Sequence, residues 1–250
     1  MKRCDGLSGA PRCEILDVAF DPITMDEAVR LGMAQLDGEG CRYAVTPNAE
    51  IVWLCRSTEG FADVLNGACL VLPDGIGVLY ASRMLKRPLP ERVSGVDFAS
   101  GMMAAMAGGD KKLFLLGAKP GVAEKAAARL AEQYPGLNIC GTHDGYFKED
   151  GPVVEAVNAS GADLVFVCLG APKQELWMAE HCSQLQAKLL VGLGGSLDVF
   201  SGEAKRAPEF WQKLGLEWLY RLLREPKRFG RVCRLPLFLL AALRARRKGD

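Results

Sequence analysis

Four short polar segments, each directly after an apolar run, hold the side chains best suited to chemistry. The first, Thr46-Pro47-Asn48-Ala49-Glu50, sets two hydrogen-bonding groups, Thr46 and Asn48, at the end of RYAVT. Asn48 also suits the cap of a helix that starts at Ala49. The second, Pro73-Asp74-Gly75, places a carboxylate between a proline and a glycine after LVL. Asp74 serves there either as a helix cap or as a general base at the mouth of a cleft. Burial would lift its pKa above the free value of about 3.9 and improve its hold on a hydroxyl proton. The third is Gly170-Ala171-Pro172-Lys173-Gln174-Glu175. Its proline suits a first helical turn, the free N–H groups there suit an anion, and Gln174 can donate and accept at once. The fourth, Gly192-Leu193-Gly194-Gly195-Ser196-Leu197-Asp198, has glycines that let backbone approach a ligand, and Asp198 can accept hydrogen bonds from ribose hydroxyls.

A fifth feature is cationic. Arg221, Arg224, Arg228 and Arg231 recur at helical intervals, forming one stripe if Pro226 only kinks the chain. Such a stripe can neutralise a diphosphate bidentately, or it is a solvated or nucleic-acid-binding face. Aromatic residues do not interleave it as a base-stacking platform requires, so no nucleic-acid partner is expected. Other chemistries lack their residues. No GxGxxG follows a strand, there is no Walker A motif, and no D-x-D offers a metal clamp for a nucleotide sugar. With only His143 and His181, a zinc site is not expected either, and no cofactor is called for.

These segments need a frame that brings strand ends together. The chain has 250 residues, 49% of them hydrophobic and 24% charged, which fits a folded globular protein. Short β-rich runs at 14–20, 42–46, 70–72, 112–116, 137–141, 163–169 and 188–194 alternate with helical patterns near 24–36, 48–58, 75–86, 95–107, 120–134, 150–159 and 172–182. LVFVCLG and KLLVGLGG are continuously apolar, as strands covered on both faces must be. The expected fold is therefore α/β: a Rossmann-like, mainly parallel sheet with helices on both faces and a basic helical C-terminal appendage. In such sheets ligands bind outside the carboxyl ends of the strands, where all four polar segments fall.

Net charge is +1, but its distribution is uneven. Residues 205–250 hold 13 basic and 4 acidic side chains, so they carry +9 and residues 1–204 carry −8. A boundary is placed there, with a catalytic domain at 1–204 and the appendage, as lid and membrane contact, at 205–250. No secretory signal is read in the first twenty residues. The longest apolar run, Leu235–Leu243, is nine residues, roughly 13 Å of helix against a bilayer core of about 30 Å. It can lie in an interface, with lipid or with another subunit of a homo-oligomer; the cations of Arg244-Ala245-Arg246-Arg247-Lys248 favour an anionic membrane surface. The nine cysteines show no CxxC spacing and are read as reduced, mostly buried and cytosolic.

Six segments together resemble the WecG/TagA/CpsF glycosyltransferases (glycosyltransferase family 26): TPNAE (46–50), LPDGIGV (72–78), PERVSGVDF (90–98), ADLVFVCLGAPKQELWM (162–178), GGSLDVFSGEAKRAP (194–208) and WLYRLLREPKRFGR (218–231). They keep the family's order across about residues 14–231. The resemblance implies inverting, metal-independent transfer of an N-acetylhexosamine-type sugar from a UDP donor to an undecaprenyl-diphosphate-linked N-acetylglucosamine. UDP-N-acetylmannosamine is the favoured donor, and the product would serve teichoic acid or another surface polysaccharide. It further implies that Asp74 is the catalytic base, that Thr46, Asn48, Arg92 and Gln174 are polar active-site residues, and that Arg221, Arg228 and Arg231 fold over the site. Gly75, Gly170, Gly194 and Asp198 complete the expected substrate contacts, although GGSLD stands where relatives often have GAAFD. Such an enzyme would sit peripherally on the cytoplasmic face of the cell membrane. Two readings of other classes are a nucleotide-binding oxidoreductase and a non-enzymatic membrane- or nucleic-acid-binding protein.

Overall fold

The computed structural model describes residues 11–208, 210–211, 217–224 and 234–249. A hairpin, β1 (Cys13–Ile15) and β2 (Val18–Phe20), precedes a sheet of β3 (Arg42–Val45), β4 (Leu70–Val71), β5 (Lys112–Gly117), β6 (Asn138–His143), β7 (Leu164–Cys168) and β8 (Leu189–Gly192). Their order is β4-β3-β8-β7-β5-β6, and every neighbouring pair is parallel. The helices are α1 (Met25–Leu36), α2 (Ala49–Leu54), α3 (Phe61–Asn66), α4 (Ile76–Met84), α5 (Gly95–Met106), α6 (Val122–Gln133), α7 (Asp150–Ser160), α8 (Lys173–His181), α9 (Ser196–Phe200), α10 (Glu217–Arg224) and α11 (Arg234–Gly249).

The continuous apolar runs explain the layering. Successive strand residues point to opposite faces, so each strand feeds two cores. Val45, Val71, Val165 and Leu190 enter one core with side chains of α2, α3, α4, α7, α8 and α11. Ala44, Leu70, Leu164 and Val191 enter the other with α1, α5, α6 and α9. The expected doubly covered parallel sheet is what forms. The cysteines fit the same account: those among the described residues are free thiols, and Cys69 and Cys168 lie inside the second core.

Two local expectations need correction. Residues 14–20 are not one strand. Leu16 and Asp17 both take positive φ, 49° and 70°, which turns the chain so that Cys13 pairs with Phe20 and Ile15 with Val18. No Asn-Gly pair marks this turn. It is supported from outside: Asn66 accepts from the Ala19 N–H and donates to the Asp17 carbonyl, both at 2.8 Å. Helices α3 and α9, of 6 and 5 residues, are too short to show a helical period and were not expected.

The hairpin also fixes the sheet edge that leads to Asp74. Asp21, fully buried, accepts from the Val71 N–H at 2.8 Å and from Arg12 at 2.9 Å. Its own N–H donates to the Val71 carbonyl at 3.0 Å, so β4 is held three residues before Asp74.

Helix α11 is docked through the middle of its apolar run. Phe238 and Ala242 are buried, with Leu235 packed beside them, against the core that α2 and α4 line. Gly77 makes this possible, because a Cβ there would stand 2.6 Å from Leu235 Cδ1. Leu237, Leu240 and Leu243, on the far side of the helix, stay exposed.

Candidate active site

Parallel strands end on one edge, and the loops beyond β3, β4, β7 and β8 meet there around an open cavity of about 150 Å³. Thr46, Asn48, Asp74, Gly95, Gln174 and Gly194 are among its lining residues. Thr46, Asn48, Asp74 and Gln174, read from the sequence as active-site groups, are therefore brought together from the segments after β3, β4 and β7, and Gly194 joins them from the loop after β8.

The loops are tied to one another before any ligand arrives. Thr46, buried, donates its hydroxyl to the Gly192 carbonyl at 2.9 Å, joining β3 to β8. Asn48 takes the role of helix cap: its Oδ1 accepts from the Glu50 and Ile51 N–H groups at 2.9 and 3.0 Å, yet it also faces the cavity. Asp74 is half-buried, and its N–H donates to the Pro47 carbonyl at 3.3 Å. The Pro73 carbonyl in turn accepts from the Val93 N–H at 2.9 Å, which anchors the start of α5. Gly95 begins that helix so close to the strand end that a Cβ would lie 3.1 Å from Thr46 Oγ1. Asp74 is not the cap of α4; Gly75 is, with a φ of 84°.

Gln174 is 2% exposed and fully oriented. Its Oε1 accepts from the Gly194 N–H at 2.9 Å and its Nε2 donates to Glu175 Oε1 at 2.8 Å. The amide therefore donates and accepts at once within the protein, and each of its ends already has one partner. Pro172 caps α8, and Gln174 follows in the first turn.

The other expected residues are placed less directly. Gly75 and Gly170 bend their loops at positive φ without being among the cavity's lining residues. Asp198 lies on α9, one turn beyond Gly195, and is not among the lining residues either. Arg92 is not among the lining residues and belongs to an ionic cluster: 3.8 Å from Asp97 and 3.5 Å from Glu217 at the start of α10. Arg221 lies on α10 with its side chain outside the described residues, and Arg228 and Arg231 lie outside them altogether.

That cluster holds residues the sequence reading passed over. Ser94 caps α5 and donates to Asp97 Oδ2 at 2.6 Å. Arg206 grips both oxygens of Asp97 at 2.7 Å, a bidentate pair. Burial pushes the Asp97 carboxyl up, but hydrogen bonds from Arg206 and Ser94 outweigh it and hold the group below its ordinary range. Burial likewise opposes the Arg206 charge, and Asp97, Glu217 and Asp74 together more than restore it. Arg206 thus feels the field of Asp74. The Ser94-x-x-Asp97 spacing ahead of an apolar helix was a readable capping signal. Among the described residues no three His, Cys, Asp or Glu side chains gather to hold a metal ion.

Two comparisons match nearly the whole chain. Residues 13–250 match the model of the Glycosyl transferase WecG/TagA/CpsF family. Curated relatives include the N-acetylglucosaminyldiphosphoundecaprenol N-acetyl-beta-D-mannosaminyltransferases of Staphylococcus aureus strains MRSA252 and MW2. Each is 36% identical over 244 residues, covering 96% of this chain and 96% of the relative.

Proposed function

Because this chain belongs to the Glycosyl transferase WecG/TagA/CpsF family, we propose that it transfers N-acetylmannosamine from a UDP donor to undecaprenyl-diphosphate-linked N-acetylglucosamine. The product enters a cell-surface polysaccharide or teichoic acid. The observation that carries this reading is the gathering of Thr46, Asn48, Asp74 and Gln174 from the ends of three strands onto one cavity, in a chain related over its length to enzymes named as N-acetylmannosaminyltransferases.

The reaction is a single displacement. Asp74 takes the proton of the acceptor hydroxyl as that oxygen bonds to the anomeric carbon. The bond from that carbon to the diphosphate breaks, and UDP departs with the electron pair, inverting the centre. Asp74 suits the task because its loop is pinned to both the β3 loop and the α5 loop, which fixes where the carboxylate stands. The leaving diphosphate is met by arginine and by helix N-termini in place of a metal ion. Arg92 and Arg206 both pair with Asp97, Arg206 lies within the electrostatic reach of Asp74, and α2, α5 and α9 begin at the cavity. The arginines of residues 205–250, Arg221, Arg228 and Arg231 included, add the remaining charge and close the site against water.

A lipid-linked acceptor favours an enzyme that sits on the membrane. Among the described residues no helix is long and apolar enough to cross one. The outer side of α11 instead offers Leu237 and Leu240, each about half exposed, with Leu243 and Arg244 following. Tyr80 and Arg83 of the neighbouring α4 are exposed as well. Apolar side chains among cations support peripheral docking on the anionic cytoplasmic leaflet.

The test is a panel of UDP-sugars offered with lipid-linked N-acetylglucosamine in detergent, scored by product mass with and without chelator. One added N-acetylhexosamine, formed from UDP-N-acetylmannosamine and insensitive to chelation, is expected. Product from a different nucleotide sugar only, or a strict metal requirement, would overturn the donor or the metal-free mechanism respectively.

A further inference from the structure

Beneath the cavity lies a carboxyl that the proposed reaction does not use. Glu175 follows Gln174 in the first turn of α8 and is 1% exposed. Its Oε1 accepts from Gln174 Nε2 at 2.8 Å, and its Oε2 is buried with no hydrogen-bond partner. Burial pushes this carboxyl above its ordinary range, with the Gln174 hydrogen bond pulling only partly back. A buried, half-satisfied carboxyl destabilises a fold compared with an apolar side chain of similar size. Its retention at this place calls for a gain elsewhere.

The gain is legible in Gln174. A side-chain amide can flip, exchanging its carbonyl for its NH₂. Here both ends are committed: the Gly194 N–H can only donate, so it takes Oε1, and Glu175 takes one N–H of Nε2. Among the described residues nothing takes the second N–H, and Gln174 lines the cavity.

We propose that Glu175 is a positioning residue, which through Gln174 fixes the Gly194 turn and makes Gln174 a hydrogen-bond donor toward the ligand. The second Nε2 N–H is then the donor offered to an acceptor oxygen of the sugar nucleotide, carbonyl, ring or phosphate. The inference deepens the donor-site reading of this cavity and rests on it for the identity of the ligand, but not for the geometry.

The experiment compares the full-length enzyme with Glu175→Met, Glu175→Gln, Gln174→Ala and the Glu175→Met/Gln174→Ala double variant. Thermal midpoints, donor and acceptor KM, kcat, and exchange of the Gly194 amide hydrogen are measured for each. Glu175→Met should keep or raise the thermal midpoint while donor KM rises about 10-fold, the worth of one hydrogen bond, with acceptor KM unchanged. Glu175→Gln keeps an acceptor and should recover most of that loss. In the Gln174→Ala background Glu175→Met should add nothing, since its effect passes through the amide. The Gly194 amide should exchange faster in Glu175→Met with no ligand present. Unchanged Gly194 exchange, or an equal Glu175→Met effect with and without Gln174, overturns the proposal. Failure of the wild-type enzyme to use any UDP-sugar overturns the functional reading instead, and leaves the Gly194 measurement to decide this one.

Discussion

At the strand ends each loop is hydrogen-bonded to its neighbour: the Thr46 hydroxyl to the Gly192 carbonyl, and through backbone Asp74 to Pro47 and Val93 to Pro73. The C-terminal helices are attached in other ways. Helix α11 is held by burial of Phe238 and Ala242 between α2 and α4, and α10 meets the body through the Glu217–Arg92 ion pair. The first region is rigid by construction, with short loops whose polar groups are spent on each other. The second is anchored at one helix by apolar area and joined at the other by charge. Burial of apolar side chains against a core does not depend on salt, whereas the largely buried Glu217–Arg92 pair is electrostatic and keeps some salt dependence. The geometry of the cavity is therefore set by the body, while α10 and α11 are joined to it from outside.

The largest expected effect tests the first half of that contrast. Asp74→Asn should lower turnover by a factor of about 10² to 10⁴ while donor affinity, read by UDP titration, stays close to wild type. Unchanged turnover would remove Asp74 as the base and leave the cavity as a binding site alone. The second effect concerns α11. Phe238→Ala opens a hole under that helix and should cost about 3–5 kcal/mol in denaturant unfolding. A loss well under 1 kcal/mol would mean that the helix is docked no more firmly than α10, and the contrast would fail.

The same difference explains what the sequence made visible. Thr46, Asn48, Asp74 and Gln174 could be found because a parallel sheet delivers the residues after its strands to one edge, so that local pattern becomes spatial proximity. Arg206 could not. Its bidentate partner Asp97 is 109 residues away in the chain, and within the basic tail it looked like one more surface cation. The position of Gln174 is legible in the sequence but its partners are not, since what each end of an amide meets depends on Gly194 and Glu175, and so on the fold. The run Leu235–Leu243 was recognised as interfacial, but period alone does not say that one side of it belongs to the core. The hairpin at 13–20 was missed because its turn residues, Leu16 and Asp17, carry no standard turn signal.

A smaller effect is expected on the outer side of α11. Leu237→Glu with Leu240→Glu should reduce binding to anionic vesicles by about 10- to 100-fold, as each leucine removed from an apolar phase forfeits part of its transfer energy. Transfer to a detergent-dispersed acceptor should not change, because neither side chain approaches the cavity. Retained vesicle binding with an altered sedimentation coefficient would assign this side to a subunit contact instead.

The smallest effect separates the Arg206–Asp97 pair from the Arg92–Glu217 pair. Asp97 is held below its ordinary value of 3.8: burial raises it, and hydrogen bonds from Arg206 and Ser94 outweigh burial. The unfolded chain then binds more protons than the folded one across this range, so stability rises with pH. The contribution of Asp97 is complete above the unfolded value and is lost as pH falls through the folded one. Arg206→Met should therefore flatten the acid side of the stability profile, with thermal midpoints at about pH 3 and pH 7 closer together than in wild type. Glu217→Gln should leave that acid limb unchanged and alter only the salt dependence of transfer, by no more than about 1 kcal/mol between low and high ionic strength. An equal acid response in both variants would mean that α10 is as integral to the body as α5, and that the ionic cluster around Asp97 opens and closes as one unit.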